Sequence, residues 1–206
     1  MATLTLRDSG EVLRDPEAIA AFLEPFGIWY RRFEGSDSLA PDASQADVLA
    51  AYDEPIQRLK AEAGYVTADV INILPETPNL DTLLARFSRE HWHSEDEVRF
   101  VVHGRGLFHI HPTDGPVFSI EVRKGDMINV PQGTLHWFDL CDDRTIRAIR
   151  LFKDMSGWTP NYSDSGVDAR YQPLCFGQPQ NLARQQQQPS LPSELLQLTQ
   201  RQQQQQ

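Results

Sequence analysis

The hydrophobic positions of the N-terminal part of the chain follow helical intervals in two stretches. Residues 15–17, Asp-Pro-Glu, supply an N-cap, a proline at the first helical position and an acid in the first turn. They predict a short helix through Leu23, which Pro25 and Gly27 end. Residues 43–64 also have helical composition, and Pro55 predicts a break or a kink within them.

A strand and a further helix precede the centre of the chain. VTADVINILP, which starts at Val66, is rich in β-branched residues and predicts a strand. The next stretch, NLDTLLARFSRE, places apolar residues at i, i+3, i+4 and i+7, namely Leu80, Leu83, Leu84 and Phe87. This spacing predicts a helix with one apolar stripe, and the helix leads directly to His91.

From Glu95 to about Lys153 the pattern changes to short segments of alternating character. The segments are EVRFVVHG, GLFHIHP, GPVFSIEVRKGD, MINVPQG, LHWFDL and TIRAIRLF. Glycines, prolines and paired aspartates separate them at the close spacing of an antiparallel sandwich or barrel. The absence of a GxGxxG or P-loop pattern excludes the nucleotide-binding α/β folds.

The C-terminal segment has a different composition. From about Gln178 it contains two glutamine tracts around prolines, and such a composition can bury little apolar surface. We therefore predict a domain over residues 1–178 and a disordered or loosely helical Gln/Pro-rich tail over residues 179–206. A passive tail is the simpler interpretation, and a docking segment is the alternative. If the tail is passive, its deletion should leave activity intact.

Bulk composition indicates a single globular domain that acts on small molecules. The chain has 206 residues, of which 40% are hydrophobic and 23% charged, and a net charge of -10 without a basic stripe. This charge distribution argues against nucleic-acid binding. There is neither an apolar signal segment at the N-terminus nor a stretch of about 20 apolar residues for a membrane span. We expect a cytoplasmic protein, with Cys141 and Cys175 as a reduced pair rather than a disulfide.

One short stretch carries a candidate metal site. In REHWHSEDEVRF, residues 89–100, His91 and His93 are two residues apart and Glu97 follows with the same parity. If a strand continues through them, all three point to the same face. Two imidazoles and one carboxylate on one side of a metal leave coordination positions open on the other. Such an arrangement suits non-haem Fe(II).

A second stretch supplies the missing ligand through a resemblance. HWHSEDEVRFVVHG fits the first cupin motif, HxHxxxE followed by six residues and Gly104, and GDMINVPQGTLH fits the second, GxxxxxPxGxxH. The asparagine often found four residues after the last histidine is Leu140 here. The resemblance implies a mainly β fold, a double-stranded β-helix or jelly-roll-like barrel over about residues 66–153, with the N-terminal helices packed outside. It also implies His136 as the fourth ligand beside His91, His93 and Glu97.

The surrounding sequence narrows the resemblance. LLARFSREHWHSEDEVRF, GDMINVPQGTLHWF and IRAIRLFKDMSGWTP resemble the acireductone dioxygenase family, over roughly residues 1–175. The resemblance implies a monomer with one Fe(II) or Ni(II) per chain that cleaves 1,2-dihydroxy-3-keto-5-methylthiopentene with O2 in methionine salvage. With Fe(II) the expected products are formate and 4-methylthio-2-oxobutanoate. With Ni(II) they are formate, carbon monoxide and 3-methylthiopropanoate.

The resemblance also implies roles around the metal. Arg99 shares the parity of Glu97, so its guanidinium would stabilise the substrate anion, and Arg150 is the second candidate. Arg147 is an equally long cation that points to the opposite face of its strand. The aromatic pocket residues are expected to be Phe87, Phe138 and Trp158, for each of which core packing is the alternative. Glu90 and Ser94 would hold the imidazoles from the second shell of ligands, with helix-end and strand-start roles as the alternative.

A second HxH pattern is the main decoy. His109 and His111 also share a face, and Glu121 lies in the following strand. No acid follows them at the cupin spacing, and no PxGxxH histidine is left to serve them. They, like His103, are better interpreted as barrel-surface or inter-strand polar residues.

Two other functions are compatible with the motifs. One is a cupin dioxygenase that acts on a different enediol, enol or thiol, because the same barrel supports many chemistries. The other is a non-catalytic cupin that binds a metal or a small ligand. The complete ligand set with Arg99 beside it favours an enzyme, since a binding protein needs no open metal positions next to an anion clamp.

Overall fold

A computed structural model describes residues 1–33, 39–40, 42–153, 159–175 and 178–179. Trp158 and nearly all of the Gln-rich tail lie outside these residues. The helices are α1 Pro16–Leu23, α2 Gln45–Ala51, α3 Asp53–Ala63 and α4 Leu80–Phe87, with short 3-10 turns at Glu24–Phe26 and Asp168–Arg170. The strands are β1 Thr3–Leu6, β2 Val12–Leu13, β3 Tyr30–Arg32, β4 Thr67–Ile73, β5 His91–Trp92, β6 Glu97–His111, β7 Phe118–Arg123, β8 Asp126–Val130, β9 Leu135–Asp139, β10 Ile146–Phe152, β11 Asn161–Tyr162, β12 Leu174–Cys175 and β13 Gln178–Pro179.

Two antiparallel sheets share one strand and enclose the core. The first runs in the order β11-β5-β9-β6-β7-β1-β2, and the second runs β4-β10-β6-β8-β3. The apolar inner faces of the strands, with α1 and α4, form the larger cluster of buried side chains, and α2 and α3 cover a second cluster on the outer face of the second sheet. The predicted mainly β class with helices outside is therefore observed.

The shared strand β6 corrects one prediction. EVRFVVHG and GLFHIHP were expected as two strands separated by glycines, but they form one strand of 15 residues. Its first half pairs with β8 and β10, and its second half pairs with β7 and β9. Gly104 has a φ of 69°, a conformation that glycine adopts at little cost. The strand therefore bends there and changes sheets, opposite a register shift at Arg147/Ala148.

The helices agree with their sequence signals, with one adjustment. Asp15 caps α1 by accepting a hydrogen bond from the Ala18 amide, as predicted. The stretch at 43–64 breaks at Tyr52, whose φ and ψ are not helical. Pro55 instead lies in the first turn of α3, where a missing amide proton costs little. No helix among the described residues is long and apolar enough to cross a membrane.

The cysteine pair also differs from expectation. Cys141 and Cys175 are joined in a disulfide, with Cα atoms 5.9 Å apart and a sequence separation of 34. Both are buried against Leu107. The two cysteines meet because the C-terminal segment returns to the barrel beside the end of β9. The sequence carries no local signal of this return. The prediction of reduced thiols was wrong for this structure.

Candidate metal centre

Four polar side chains meet at one end of the barrel interior. His91 on β5 lies directly opposite His136 on β9, and Glu97 begins β6. His93 lies in the loop between β5 and β6. Each of the four is at most 4% exposed, so their convergence is a feature of the core and not of a solvated surface.

His91, His93 and Glu97 do not converge through the alternation of one strand, because a loop that contains His93 separates His91 from Glu97. The predicted strand does not continue from His91 to Glu97, because β5 ends at Trp92 and residues 93–96 form a loop. The backbone carbonyl of His93 accepts a hydrogen bond from the Gly133 amide, in the turn before β9. Strand parity therefore explains only why Glu97 and Arg99 share a face. The histidines are brought together by the pairing of β5 with β9.

Backbone carbonyls fix the orientation of all three imidazoles. The Nδ1 atoms of His91, His93 and His136 lie 2.7, 3.1 and 2.8 Å from the carbonyl oxygens of Arg89, Thr159 and Thr134, respectively. A carbonyl only accepts, so each Nδ1 carries the proton and each Nε2 of a neutral ring carries a lone pair. One ring nitrogen from each histidine lies within 4.8 Å of those of the other two.

Glu97 completes this set of electron-pair donors. Its Oε2 atom lies 3.0 Å from Nε2 of His136 and 3.2 Å from Nε2 of His93, and its Oε1 accepts from Nε of Arg99 at 2.8 Å. Burial alone would raise the pKa of Glu97, but the adjacent Arg99 guanidinium holds that pKa well below its ordinary value. An ionised carboxylate facing two Nε2 lone pairs has no proton to share with them. A cation between the donors satisfies all of them, so the set fits a metal ion.

The state of His91 is also appropriate for a ligand. Burial, together with the neighbouring His136, lowers the pKa of His91 to about 4. The ring is therefore neutral near pH 7, and only a neutral imidazole can donate to a metal.

The site opens into a cavity of about 280 Å³. Its wall has a polar part formed by His91, Glu97, Arg99, His136, Arg150 and Asn72. The remaining wall is apolar and comprises Ile71, Ile73, Leu83, Leu84, Phe87, Phe108, Phe138 and Ile146. A metal centre at one end and an apolar chamber beside it are the usual components of a small-molecule site.

The structure distinguishes the two candidate arginines of β10. Arg150 lies opposite Arg99 in the register and lines the cavity, and its guanidinium is held by a two-pronged ion pair with Asp69 on β4. Arg147 is buried elsewhere, where it donates to the side chain of Asn72 and to the carbonyl of Ala40. Arg99 and Arg150 therefore provide the cationic part of the cavity wall.

Only some of the residues that were predicted to line the pocket or to hold the imidazoles have those positions in the structure. Phe87 and Phe138 line the cavity, and Trp158 lies outside the described residues. Glu90 is buried, but its carboxylate accepts from the hydroxyls of Ser163 and Ser165 and contacts Nδ1 of His111 at 2.6 Å. Ser94 is exposed. The groups observed on the imidazole Nδ1 atoms are backbone carbonyls, whereas Glu90 binds the segment that contains Thr159.

Three contributors were not found from the sequence. Asp69 orients Arg150, the Thr159 carbonyl orients His93, and Gly106 lies behind the ring of Phe138. Asp69 could have been noticed as an acid within an apolar strand. A backbone carbonyl carries no residue-type signal, so Thr159 could not be found in that way.

The decoy histidines are held by other partners. His109 is fully buried, with Nδ1 at 2.7 Å from the Ser119 hydroxyl and Nε2 at 3.2 Å from Asp139. Its ring stacks on Trp137 at a centroid distance of 4.8 Å. These are inter-strand contacts, whereas the exposed position expected of a barrel-surface residue is seen at His103.

Comparisons with known proteins agree with this geometry. The model of the ARD/ARD' family matches residues 37–160. The chain is 44% identical over 174 residues to the acireductone dioxygenase of Picosynechococcus sp., covering 84% of this chain and 99% of the relative. It is 43% identical over 176 residues to that of Methylococcus capsulatus, covering 83% and 94%.

A solved structure supports the fold. Acireductone dioxygenase from Bacillus anthracis, with a cadmium ion in its active centre, superimposes with a TM-score of 0.72 at 36% sequence identity, covering 79% of this chain and 98% of that one. The predicted cupin barrel is thereby confirmed.

Proposed function

Because this chain belongs to the ARD/ARD' family, we propose that it is a metal-dependent acireductone dioxygenase. The reaction is the O2-dependent cleavage of acireductone, and the protein acts as a monomer with one metal ion per chain. The named relatives carry this activity in their names, and their lengths are covered almost completely.

One observation supports the proposal above all others. Three buried imidazoles form one cluster, and two of them, His91 and His136, lie with an ionised Glu97 on the wall of a cavity that also contains two arginines. A protein that only stored a metal would need neither the cavity nor the guanidinium groups. The same wall can hold a metal, bind an anion and cover an apolar tail.

The proposed metal ligands are His91, His93, Glu97 and His136. Four protein donors would leave positions free on a bound metal. The metal would there supply Lewis-acid chemistry, because an enediol whose oxygens bind to it would have a lowered pKa and a higher reactivity toward O2. The residues fix this arrangement in advance, because each imidazole is held through its Nδ1 proton.

The two arginines are proposed to bind the substrate anion. Arg99 is anchored by Glu97 and Arg150 by Asp69, so neither guanidinium has to be reoriented when the substrate arrives. Stabilisation of the developing negative charge follows from their permanent positive charge. The apolar wall, including Phe87 and Phe138, covers the methylthio tail and limits the access of water.

The metal is proposed to select the products. With Fe(II) we expect formate and 4-methylthio-2-oxobutanoate, the methionine precursor in methionine salvage. With Ni(II) we expect formate, carbon monoxide and 3-methylthiopropanoate. Three imidazoles and one carboxylate suit both metals, so their availability decides the loading.

The test combines metal analysis with product analysis. Metal-free protein is loaded separately with Fe(II) and with Ni(II), freed of excess metal, and mixed with anaerobically prepared acireductone and O2. The expected result is one metal per chain, formate with either metal, and carbon monoxide with Ni(II) alone. Metal binding without turnover would contradict the proposal and favour a binding cupin, and preferential turnover of another enediol would favour a different dioxygenase.

A further inference from the structure

We infer that Gly106 sets the length of the substrate tail that the cavity accepts, which rests on the proposed function. The substrates concerned are enediols or related metal chelators that carry an unbranched apolar tail. Gly106 contributes no side chain to the cavity. Its effect is indirect, because the absence of a β-carbon at Gly106 lets Phe138 and Ile146 pack close to the backbone of β6 and away from the centre of the cavity.

The first observation is the close approach of Phe138 to the backbone. Gly106 is buried on β6, and a β-carbon added there would lie 2.5 Å from Cε2 of Phe138 and 3.0 Å from Cδ1 of Ile146. Carbon atoms pack at about 3.5 Å or more. Any residue other than glycine would therefore displace the ring by about 1 Å and press on the isoleucine methyl group.

The displaced groups have a defined direction in which to move. Phe108 lies directly opposite Phe138 across strands β6 and β9, with the ring centroids 5.0 Å apart, and occupies part of the space beside the Phe138 ring. Phe138 and Ile146 both line the cavity. The space available to them is the cavity itself, so a side chain at position 106 would shorten the cavity instead of opening the barrel.

The third observation is where this part of the wall lies. Ile146 and Arg150 are four residues apart on the same strand, which corresponds to about 13 Å along β10. Both side chains line the cavity. The anionic head of a substrate at Arg99 and Arg150 would thus direct its tail toward Ile146, Phe138 and the backbone of Gly106.

The experiment compares substrates that differ only in tail length. Wild-type protein and Gly106→Ala, both loaded with Ni(II) or Fe(II), are assayed with acireductones whose unbranched tails range from one carbon to the full methylthioethyl group. We expect Gly106→Ala to lose about tenfold or more in kcat/KM for the longest tail, mainly through KM, with little change for the shortest. An equal loss at all lengths would overturn the inference, as would no loss.

Two variants separate a specific effect from general overpacking. Gly115→Ala is the matched control, because a β-carbon there would lie 2.6 Å from Cε1 of Phe26, another aromatic ring, but one that is not part of the cavity wall. It should not change the preference for tail length. Gly106→Ala/Phe138→Leu should recover the long-tail substrate relative to Gly106→Ala, because the leucine vacates the space into which the ring is pushed. Failure of this rescue would contradict the proposed route.

Binding without turnover makes the test independent of the proposed reaction. Linear 2-oxo acids with tails of one to six carbons chelate metals, and their dissociation constants can be measured by calorimetry on the Ni(II)-loaded proteins. Weaker binding of the long-tailed 2-oxo acids to Gly106→Ala, with unchanged binding of the short-tailed ones, would support the inference even if no acireductone were consumed. Turnover of acireductone with no change in tail preference would refute the inference and leave the proposed function standing.

Discussion

The two faces of strand β9 each contact a buried cluster that contains histidine and a carboxylate, and the two clusters use the imidazole nitrogens differently. On the inner face, His136 joins His91 and His93, which form the first HxH pattern. On the outer face, Trp137 and Asp139 contact His109, the first residue of the second HxH pattern. Both clusters are buried and both include a carboxylate, so neither burial nor residue type distinguishes a metal site here.

The difference is what each imidazole does with its two nitrogens. On the inner face every Nδ1 is held by a carbonyl, and the Nε2 atoms point at one another and at Glu97. On the outer face His109 has a partner at each nitrogen, Ser119 and Asp139, and a stacked indole on its ring. The first arrangement leaves electron pairs for a cation, and the second places each nitrogen of His109 next to a polar group of the protein.

The sharpest test removes one histidine from each face. His136→Ala should reduce metal affinity by more than about 100-fold and abolish turnover, since even the loss of a group that supports a ligand costs 10- to 100-fold. His109→Gln should keep one metal per chain and lose about 1–3 kcal/mol of stability, because buried hydrogen-bonding partners are left poorly matched. Metal analysis after gel filtration and thermal unfolding measure the two effects. Loss of metal in His109→Gln would erase the distinction between the faces.

A second pair of variants compares an arginine on the cavity wall with an arginine away from it. Arg99→Ala should retain the metal and lose about 10²- to 10³-fold in kcat/KM, the usual cost of one preorganised electrostatic contact. The control is Arg123→Ala, whose guanidinium is bound to Glu121 on β7 away from the cavity wall. Its kinetics should be unchanged. Equal losses in the two variants, or unchanged kinetics in Arg99→Ala, would contradict the role of Arg99 in binding the anion.

The disulfide provides a purely structural comparison on the outer face. Cys141→Ser/Cys175→Ser opens a loop whose ends are 34 residues apart in sequence. The expected loss is about 3–4 kcal/mol in the free energy of unfolding, chiefly through the entropy of the unfolded chain. Denaturant titration measures it, and the metal content of the folded protein should stay at one per chain. A loss of metal from protein that is still folded would show that the outer face also controls the site.

The smallest expected effect on metal affinity is that of Glu90, which contacts both His111 of the second HxH pattern and the segment that holds His93. Its carboxylate holds Ser163 and Ser165, in the segment that also provides the Thr159 carbonyl to His93. Glu90→Gln keeps the shape of the side chain and weakens these contacts, so the metal affinity should fall about tenfold, at the low end of the effects seen when a group that supports a metal ligand is changed. Competition with a chelator measures it. An unchanged affinity would indicate that Glu90 acts only on the fold, and Ser94→Ala, at an exposed position, is the control.

Local signals predicted the elements well where the chain followed one period. The apolar stripe of α4 and the cap of α1 are observed, since both depend on neighbours three or four residues away. The long strand β6 was predicted as two strands, because the sequence shows a glycine but not whether the chain turns or bends at it. The loop after β5 was missed for a related reason. The alternation of side chains predicts which residues share a face only as long as the strand is continuous.

The sequence by itself determined the four donors of the candidate metal centre, the arginine beside them and the barrel family, because these are recorded as residue types at fixed spacing. Only the tertiary structure decided which nitrogen of each histidine points inward, which of Arg147 and Arg150 reaches the cavity, and that Cys141 meets Cys175. Each of these depends on contacts between residues far apart in the chain, such as Thr159 with His93 and Asp69 with Arg150. Such contacts are set by the packing of whole strands against one another, and a local pattern carries no record of them.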